Sequence, residues 1–453
     1  MKAMEQNGEQ VLEQPHAVRL LLRSIFYRYF FKYRFFKTLR ASLTQARTQL
    51  VIVRARTLTG WRGKSYQLKP VSEYLRENPM RTTIFEPAAS VQIPGPRFLG
   101  TYSFTPKSAP TVQLGMPRLE IRPLGRKTVI GGTNFAYDET SVIYPDEYQP
   151  QRDVCPAEMN GIARLDLSRR RIAIHAGANM RLHRAISLLG SCTGNYAHWL
   201  TETLPKLLLI DELSEYDDYP LLVDSWVHPN FIASIKLFDT KKRPIIKLNR
   251  WHTAEVGELV DVSPTAYIPP EYRAFLETGQ LGEPDASDFM FSKTALNRLR
   301  TAGQRAIAQE KHGSTKLYLH RAPESCGNTR YVTNIAKIEA LLEAHDYQKL
   351  DPAKLSFKDQ IAAFAGARKV VSPLGAALAN TIFTAPGCKV LGLSPYYHNA
   401  NYYFFSNFMA ALDHDMYYSL GPQTGVDTHL LHRNYEIDLP AFREALDHLE
   451  AYD

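Results

Sequence analysis

His198 and Glu202 stand four residues apart within Leu188–Leu213, and Asn195 precedes the histidine by three. On a helix this spacing puts all three polar side chains on one face. A carboxylate one turn from an imidazole can fix its tautomer and raise its basicity, as a general base requires. The same pair also occurs as a solvated ion pair on ordinary surface helices, and spacing alone leaves both readings open. The elements that must position the pair are legible around it. Gly190 and Gly194 permit the backbone angles of a tight turn after a strand, and Ser191, Thr193 and Asn195 can cap the helix that follows. Tyr196, Leu200, Leu204, Leu207 and Leu208 supply its apolar surface. Pro205 removes one helical hydrogen bond, which predicts a kink and a freed carbonyl at Thr201.

A second constellation lies nearer the C-terminus. Lys369–Asn380 reads as strand, tight turn and helix, with Gly375 at the turn and Ala376, Ala377 and Ala379 opening the helix. Free N–H groups at such an opening favour a phosphate. The stretch is neither a Walker loop nor the three-glycine dinucleotide fingerprint, and close packing of helix on sheet would also use small residues. Arg321 directly follows the strand Lys316–His320, and Arg330 follows a Gly-Asn loop. Converging there, the two guanidiniums can grip a pyrophosphate in bidentate fashion, or they are surface charge. Ser356, with Asp359 and Gln360, is ordinary capping chemistry. The aromatics Tyr396, Tyr397, Tyr402, Tyr403, Phe404 and Phe405 suit either core packing or stacking on a base or sugar.

The chain has 453 residues, which is long for one core and suggests two domains with an appendage. Its cysteines, Cys155, Cys192, Cys326 and Cys388, are scattered, without zinc spacing, and read as reduced thiols of a cytoplasmic protein. No stretch has the apolar length of a membrane span, and the acidic first residues are unlike a signal peptide. The net charge of +8 is concentrated: no acid stands between Glu13 and Glu73, while 13 cations fall there, from Arg19 to Lys69. Over Val18–Leu50 those cations mix with aromatics, a composition suited to a helix on an anionic membrane surface. The sidedness is imperfect, so a helix docked on the main body competes with that reading. Nucleic acid is not expected as a partner, since no nucleic-acid fold surrounds the basic run.

Short apolar runs punctuated by proline and glycine predict a strand-rich region from about residue 81 to 184. Strands and helices then alternate. Ala185–Leu189, Pro220–Val223, Pro244–Leu248 and Glu258–Val262 read as strands, with helices after Gly190 and at Pro229–Phe238. After a polar, helix-rich connection the alternation resumes at Lys316 and runs to Leu393. Such alternation predicts α/β architecture with parallel sheets, and ligands at the carboxyl ends of their strands.

In order and spacing these motifs resemble glycosyltransferase family 61, the capsular polysaccharide biosynthesis type. The resemblance runs from about Ala185 to Tyr418 and rests on Asn195, His198, Glu202, Leu204 and Pro205, then Arg321, Arg330, Asn334, Leu350-Asp351-Pro352, Leu355 to Gln360, Gly375-Ala376, Asn380 and Phe383. Two positions depart from the family pattern: Glu202 stands where Asp is frequent, and Leu374 where His is frequent. The resemblance implies two Rossmann-like domains in a GT-B arrangement. Composition and alternation divide the chain into a basic helical segment at 1–80, a strand-rich region and first domain at 81–265, a linker at 266–314 and a second domain at 315–453, and the resemblance implies acceptor and donor roles for the two domains. It further implies an inverting transfer from a nucleotide-sugar donor to a polysaccharide or lipid-linked glycan acceptor at the cytoplasmic membrane face. His198 would be the base, Glu202 its orienting acid and Asn195 an acceptor-side residue. Arg321, Arg330, Asn334, Gly375, Ala376 and Asn380 would bind the donor, with no metal and no cofactor. Two alternatives stay open. Asp413-His414-Asp415 has the Asp-x-Asp spacing of metal-dependent GT-A-like transferases, and a non-catalytic glycan- or nucleotide-binding partner of a membrane assembly would need the same folds.

Overall fold

Two sheets with parallel cores organise the chain, each with helices against it. The computed structural model describes residues 65–104, 108–177, 179–310, 313–321, 330–425 and 430–451. The expected basic helix at Val18–Leu50, its membrane role and Cys326 lie outside these residues. Lys64–Asp453 forms one compact unit. Among the described residues no helix is long and apolar enough to cross a membrane.

The first sheet is built on β1 (Leu119–Ile130), β2 (Asn179–Ser187), β3 (Leu221–Asp224), β4 (Ile245–Leu248) and β5 (Thr253–Val262), in the order β4-β3-β2-β5-β1. The strands β2 to β5 are parallel, and β1 runs antiparallel to β5. Every residue of β3 is buried, as a continuous apolar run covered on both faces should be. The strands β2 and β5 begin well before the predicted Ala185 and Glu258. The early part of β2 alternates exposed with half-buried residues, so it lacks the buried run that marks a strand centre.

The second sheet uses β6 (Lys316–Leu319), β7 (Gln348–Leu350), β8 (Lys369–Pro373), β9 (Lys389–Tyr396) and β10 (Asp415–Thr424), parallel in the order β7-β6-β8-β9-β10. Most short strands of the leading region extend the first sheet, Ala89–Pro94 and Thr111–Met116 form a two-stranded sheet of their own, and Arg97–Phe98 pairs with Tyr417 and Tyr418 at the edge of the second sheet. Register over such sequence distance is set by tertiary pairing, which local pattern does not carry.

A shared helical layer lies between the sheets. It comprises Leu204–Ile210, Lys293–Ala306, Phe357–Ala365 and a 3₁₀ turn at Ala376–Phe383. One apolar cluster joins Leu207, Leu299, Phe364 and Phe383 of this layer to Val223 of β3 and Val370 of β8. Burying each large side chain contributes about 1.5–3 kcal/mol. Gly303 allows the closest approach: a Cβ there would lie 2.6 Å from Phe383 Cδ1. The predicted helix after Gly375 is a 3₁₀ turn instead, with hydroxyls of Thr381 and Thr384 bonding carbonyls three residues back.

Candidate active site

Asn195 caps the helix that carries His198, its side chain accepting from Ala197 N at 2.9 Å. The helix starts in α geometry at Tyr196–His198, widens to a π turn at Trp199–Thr203 and returns to α at Leu204–Ile210. Leu204 N reaches back to Trp199 O, and Pro205, lacking an N–H, leaves Thr201 O free of the helix. Thr265 Oγ1 donates to that carbonyl at 2.6 Å. Such π bulges concentrate at functional positions because they re-aim side chains within a helix.

Glu202 reaches His198: Oε1 lies 3.0 Å from Nδ1, with the side chains 20% and 12% exposed. Ile268 N also donates to Glu202 Oε1, at 3.1 Å, so the carboxylate is held from the backbone side. The approach to Nδ1 is off the ring N–H direction, and Nδ1 makes no directed hydrogen bond. Catalytic hydrogen bonds are commonly misaligned before substrate enters. Behind Glu202 is a small polar cavity bordered also by Lys206, Arg122, Asp261, Thr193 and Tyr267. Burial lowers the Lys206 pKa, opposed by Asp261 and Glu202. Arg122 holds Asp261 through Nε and Nη2 at 3.0 and 2.5 Å. Lys206 continues the His198, Glu202 stripe by another four residues, a sequence signal that was there to be read.

The second edge gathers the arginines. The strands β6 and β8 are neighbours, so Arg321 and the Gly375 turn leave the sheet at the same carboxyl edge. A Cβ on Gly375 would lie 3.7 Å from Arg321 Nη1. Arg330 Nη2 donates to Leu374 O at 2.8 Å, so the backbone at position 374 is used although its side chain is apolar. Burial lowers the Arg330 pKa; Arg321 adds to that, and the groups opposing it are the phenols of Tyr435 and Tyr397. No carboxylate is among them. A cleft of ≈ 460 Å³ opens here, lined by Arg330, Leu374, Tyr397, Tyr272 and Asp288.

The two edges are tied together. Tyr196 OH donates to Asn380 Oδ1 at 2.7 Å, and Asn380 Nδ2 donates to Gln360 Oε1 at 3.0 Å. The helix start two residues before His198 is thereby fixed to the 3₁₀ turn headed by Gly375. With this arrangement in view, residues 196–391 match the family Glycosyltransferase 61. Residues 196–391 are a glycosyltransferase 61 domain, which suggests a transferase enzyme. No curated protein matches the chain.

Within the glycosyltransferase 61 domain two expected donor residues have partners within the protein. Asn380 is fully buried with its amide occupied by Tyr196, Gln360 and Ala377 O, an arrangement that holds the turn. Asn334 spends its amide on the backbone of Ile437, donating to O at 2.7 Å and accepting from N at 3.1 Å. Gly375 and Ala376 remain half-buried at the edge. The Asp-x-Asp carboxylates face different cations: Asp413 pairs with Lys293 and Asp415 with Arg97, each at 2.6 Å. His414 between them is buried against Thr384 Oγ1 and Thr381 O. Half of the aromatic cluster is buried core, Tyr402, Tyr403 and Phe405, and Tyr396, Tyr397 and Phe404 pack against it partly buried.

Sequence reasoning passed over Asp224, at the end of β3. Its buried carboxylate accepts from Gly132 N at 2.9 Å, Gly190 N at 3.2 Å and Thr193 Oγ1 at 2.5 Å. Burial pushes its pKa up to about 7. One aspartate thus anchors the turn leading into the His198 helix. An acid closing an otherwise apolar strand, Leu-Leu-Val-Asp, was the available signal.

Proposed function

We propose that the glycosyltransferase 61 domain moves a sugar, with inversion, from a nucleotide donor to a polysaccharide or lipid-linked glycan acceptor of capsular type. In this reading the acceptor oxygen attacks the anomeric carbon, and the carbon–oxygen bond to the nucleotide diphosphate breaks. His198 Nε2, which makes no hydrogen bond to any described residue, takes the acceptor proton. Glu202 beside Nδ1 favours the resulting imidazolium. The leaving diphosphate carries its electron pair and negative charge toward Arg321, Arg330 and the Gly375 turn. The observation that carries the reading is the Tyr196–Asn380–Gln360 chain, which ties the helix of the candidate base to the turn beside Arg321 and Arg330.

The two parallel sheets correspond, in this proposal, to the acceptor and donor halves of a GT-B arrangement. The basic segment ahead of residue 73 would hold the enzyme on the anionic inner face of a membrane, where lipid-linked acceptors reside. The metal-dependent alternative is disfavoured because Asp413 and Asp415 are committed to separate cations. A panel of sugar nucleotides, offered with lipid-linked and polysaccharide acceptors, tests the reading. Transfer should give a product whose anomeric proton coupling shows inversion. A product that retains the donor's configuration overturns it, as does tight donor binding with no transfer to any acceptor.

A further inference from the structure

Two tryptophans meet at the carboxyl ends of β3 and β4. Trp226 stands two residues beyond Asp224, and Trp251 lies in the turn from β4 to β5. Both indoles cover Gly132, whose φ is 82°; a Cβ there would lie 3.3 Å from Trp226 Cη2 and from Trp251 Cζ3. Trp226 also covers Gly194, where a Cβ would lie 3.4 Å from its Cδ1 and Nε1. Gly194 immediately precedes the Asn195 cap of the His198 helix, so this aromatic surface adjoins the candidate base. The backbone of Trp251 is left-handed, with φ 61°, and is pinned on both sides. Its N–H donates to Gly131 O at 3.0 Å, and its carbonyl accepts from Gly177 N at 2.6 Å. A bulky residue holds that conformation under strain, and such outliers cluster at ligand sites.

Arg250 completes the group. It is exposed, with Cζ 4.4 Å from the Trp226 ring centroid and 5.7 Å from that of Trp251. Among the described residues it forms no ion pair, and neither indole N–H makes a hydrogen bond. Simple cover for a glycine loop needs apolar surface; it does not need a cation held over two half-buried indoles with its donors left open.

We infer that Trp226, Arg250 and Trp251 form a binding platform for an anionic saccharide, the acceptor glycan next to the bond being made. Aromatic faces pack against the apolar faces of sugar rings, and an indole N–H can donate to a hydroxyl. The guanidinium, pre-positioned by the rings, presents a planar fork that suits a carboxylate or phosphate on the sugar. This assignment rests on the acceptor-side reading of the first sheet. It deepens that reading by giving the acceptor a charge.

The test is a titration of the full chain, followed by tryptophan fluorescence, with oligogalacturonate as acidic probe and maltohexaose as neutral probe. Wild type should bind the acidic probe at least tenfold more tightly than the neutral one. Arg250→Met, at an exposed position where folding is secure, should abolish that preference. Trp226→Ala should weaken both probes, while Trp199→Phe, in the core, should change neither. Equal affinity for the two probes in wild type overturns the assignment, and so does an unchanged preference in Arg250→Met. The titration is repeated in His198→Ala. Intact binding there with lost transfer supports both readings; intact binding with intact transfer removes His198 as base and leaves the platform standing.

Discussion

The carboxyl edges of the two sheets are built on opposite electrostatic plans. At the first, three carboxylates have donors matched to them: Glu202 faces His198 and Ile268 N, Asp224 gathers three donors, and Asp261 holds Arg122. At the second, Arg330 is half-buried beside Arg321 and, among the described residues, meets a carbonyl and phenols. Matched charges fix geometry and move a proton with little reorganisation. A guanidinium half-buried against neutral partners gains further when an anion arrives. One edge is suited to handling a proton and the other to receiving a phosphate, and this contrast can be broken by experiment.

The largest effect is expected at His198. Replacing it by alanine should lower turnover roughly 10²-fold or more and leave donor affinity nearly unchanged. A variant keeping more than about a tenth of wild-type turnover would end the assignment of roles to the first edge. Arg321→Ala should do the converse, raising the Kd of the sugar nucleotide that wild type binds by roughly 10- to 150-fold, for about 1.5–3 kcal/mol of charged hydrogen bonding. Arg321→Lys should lose less, because an ammonium keeps the charge without the planar fork. Calorimetry that finds all three proteins equal would remove Arg321 from the donor edge.

Asp224 sharpens the comparison through pH. Its folded pKa of about 7 lies above the unfolded value of roughly 3.9, so the folded state holds the proton more tightly. Its contribution to stability is therefore full below about pH 4 and is lost as pH rises to about 7. Denaturant melts should show about 2–3 kcal/mol less stability at pH 8 than at pH 5, at 1.36 kcal/mol per unit crossed. Asp224→Asn should flatten that slope, and an identical slope in wild type and variant would clear Asp224 of the effect. The link between edges is worth less: Tyr196→Phe should cost about 1 kcal/mol, and a cycle with Asn380→Ala should show a coupling of at least about 0.5 kcal/mol. Additive losses would mean that the edges are not joined there. Smallest of all, Asp413→Asn should change stability by less than about 1 kcal/mol, as for exposed ion pairs, and leave turnover unaltered. A collapse of activity restored by added manganese would reopen the metal-dependent mechanism.

Local chemistry determined a good deal by itself. The cap at Asn195, the reach from Glu202 to His198, the freed Thr201 carbonyl and the helix Pro229–Phe238 follow from spacing, capping and the missing proline N–H, all of which act within a few residues. Helical periodicity and buried apolar runs likewise placed the strands at the sheet centres. Only the tertiary structure decided the rest. Arg97–Phe98 joins β10 from more than 300 residues away, and Asp224 reaches Gly132 across 92. Asn334 and Asn380 are asparagines of the right type in the right order, yet their amides are consumed by Ile437 and by Tyr196 with Gln360. Whether a polar side chain serves the fold or a ligand depends on which partners reach it first, and those partners come from distant chain whose register the local sequence does not encode.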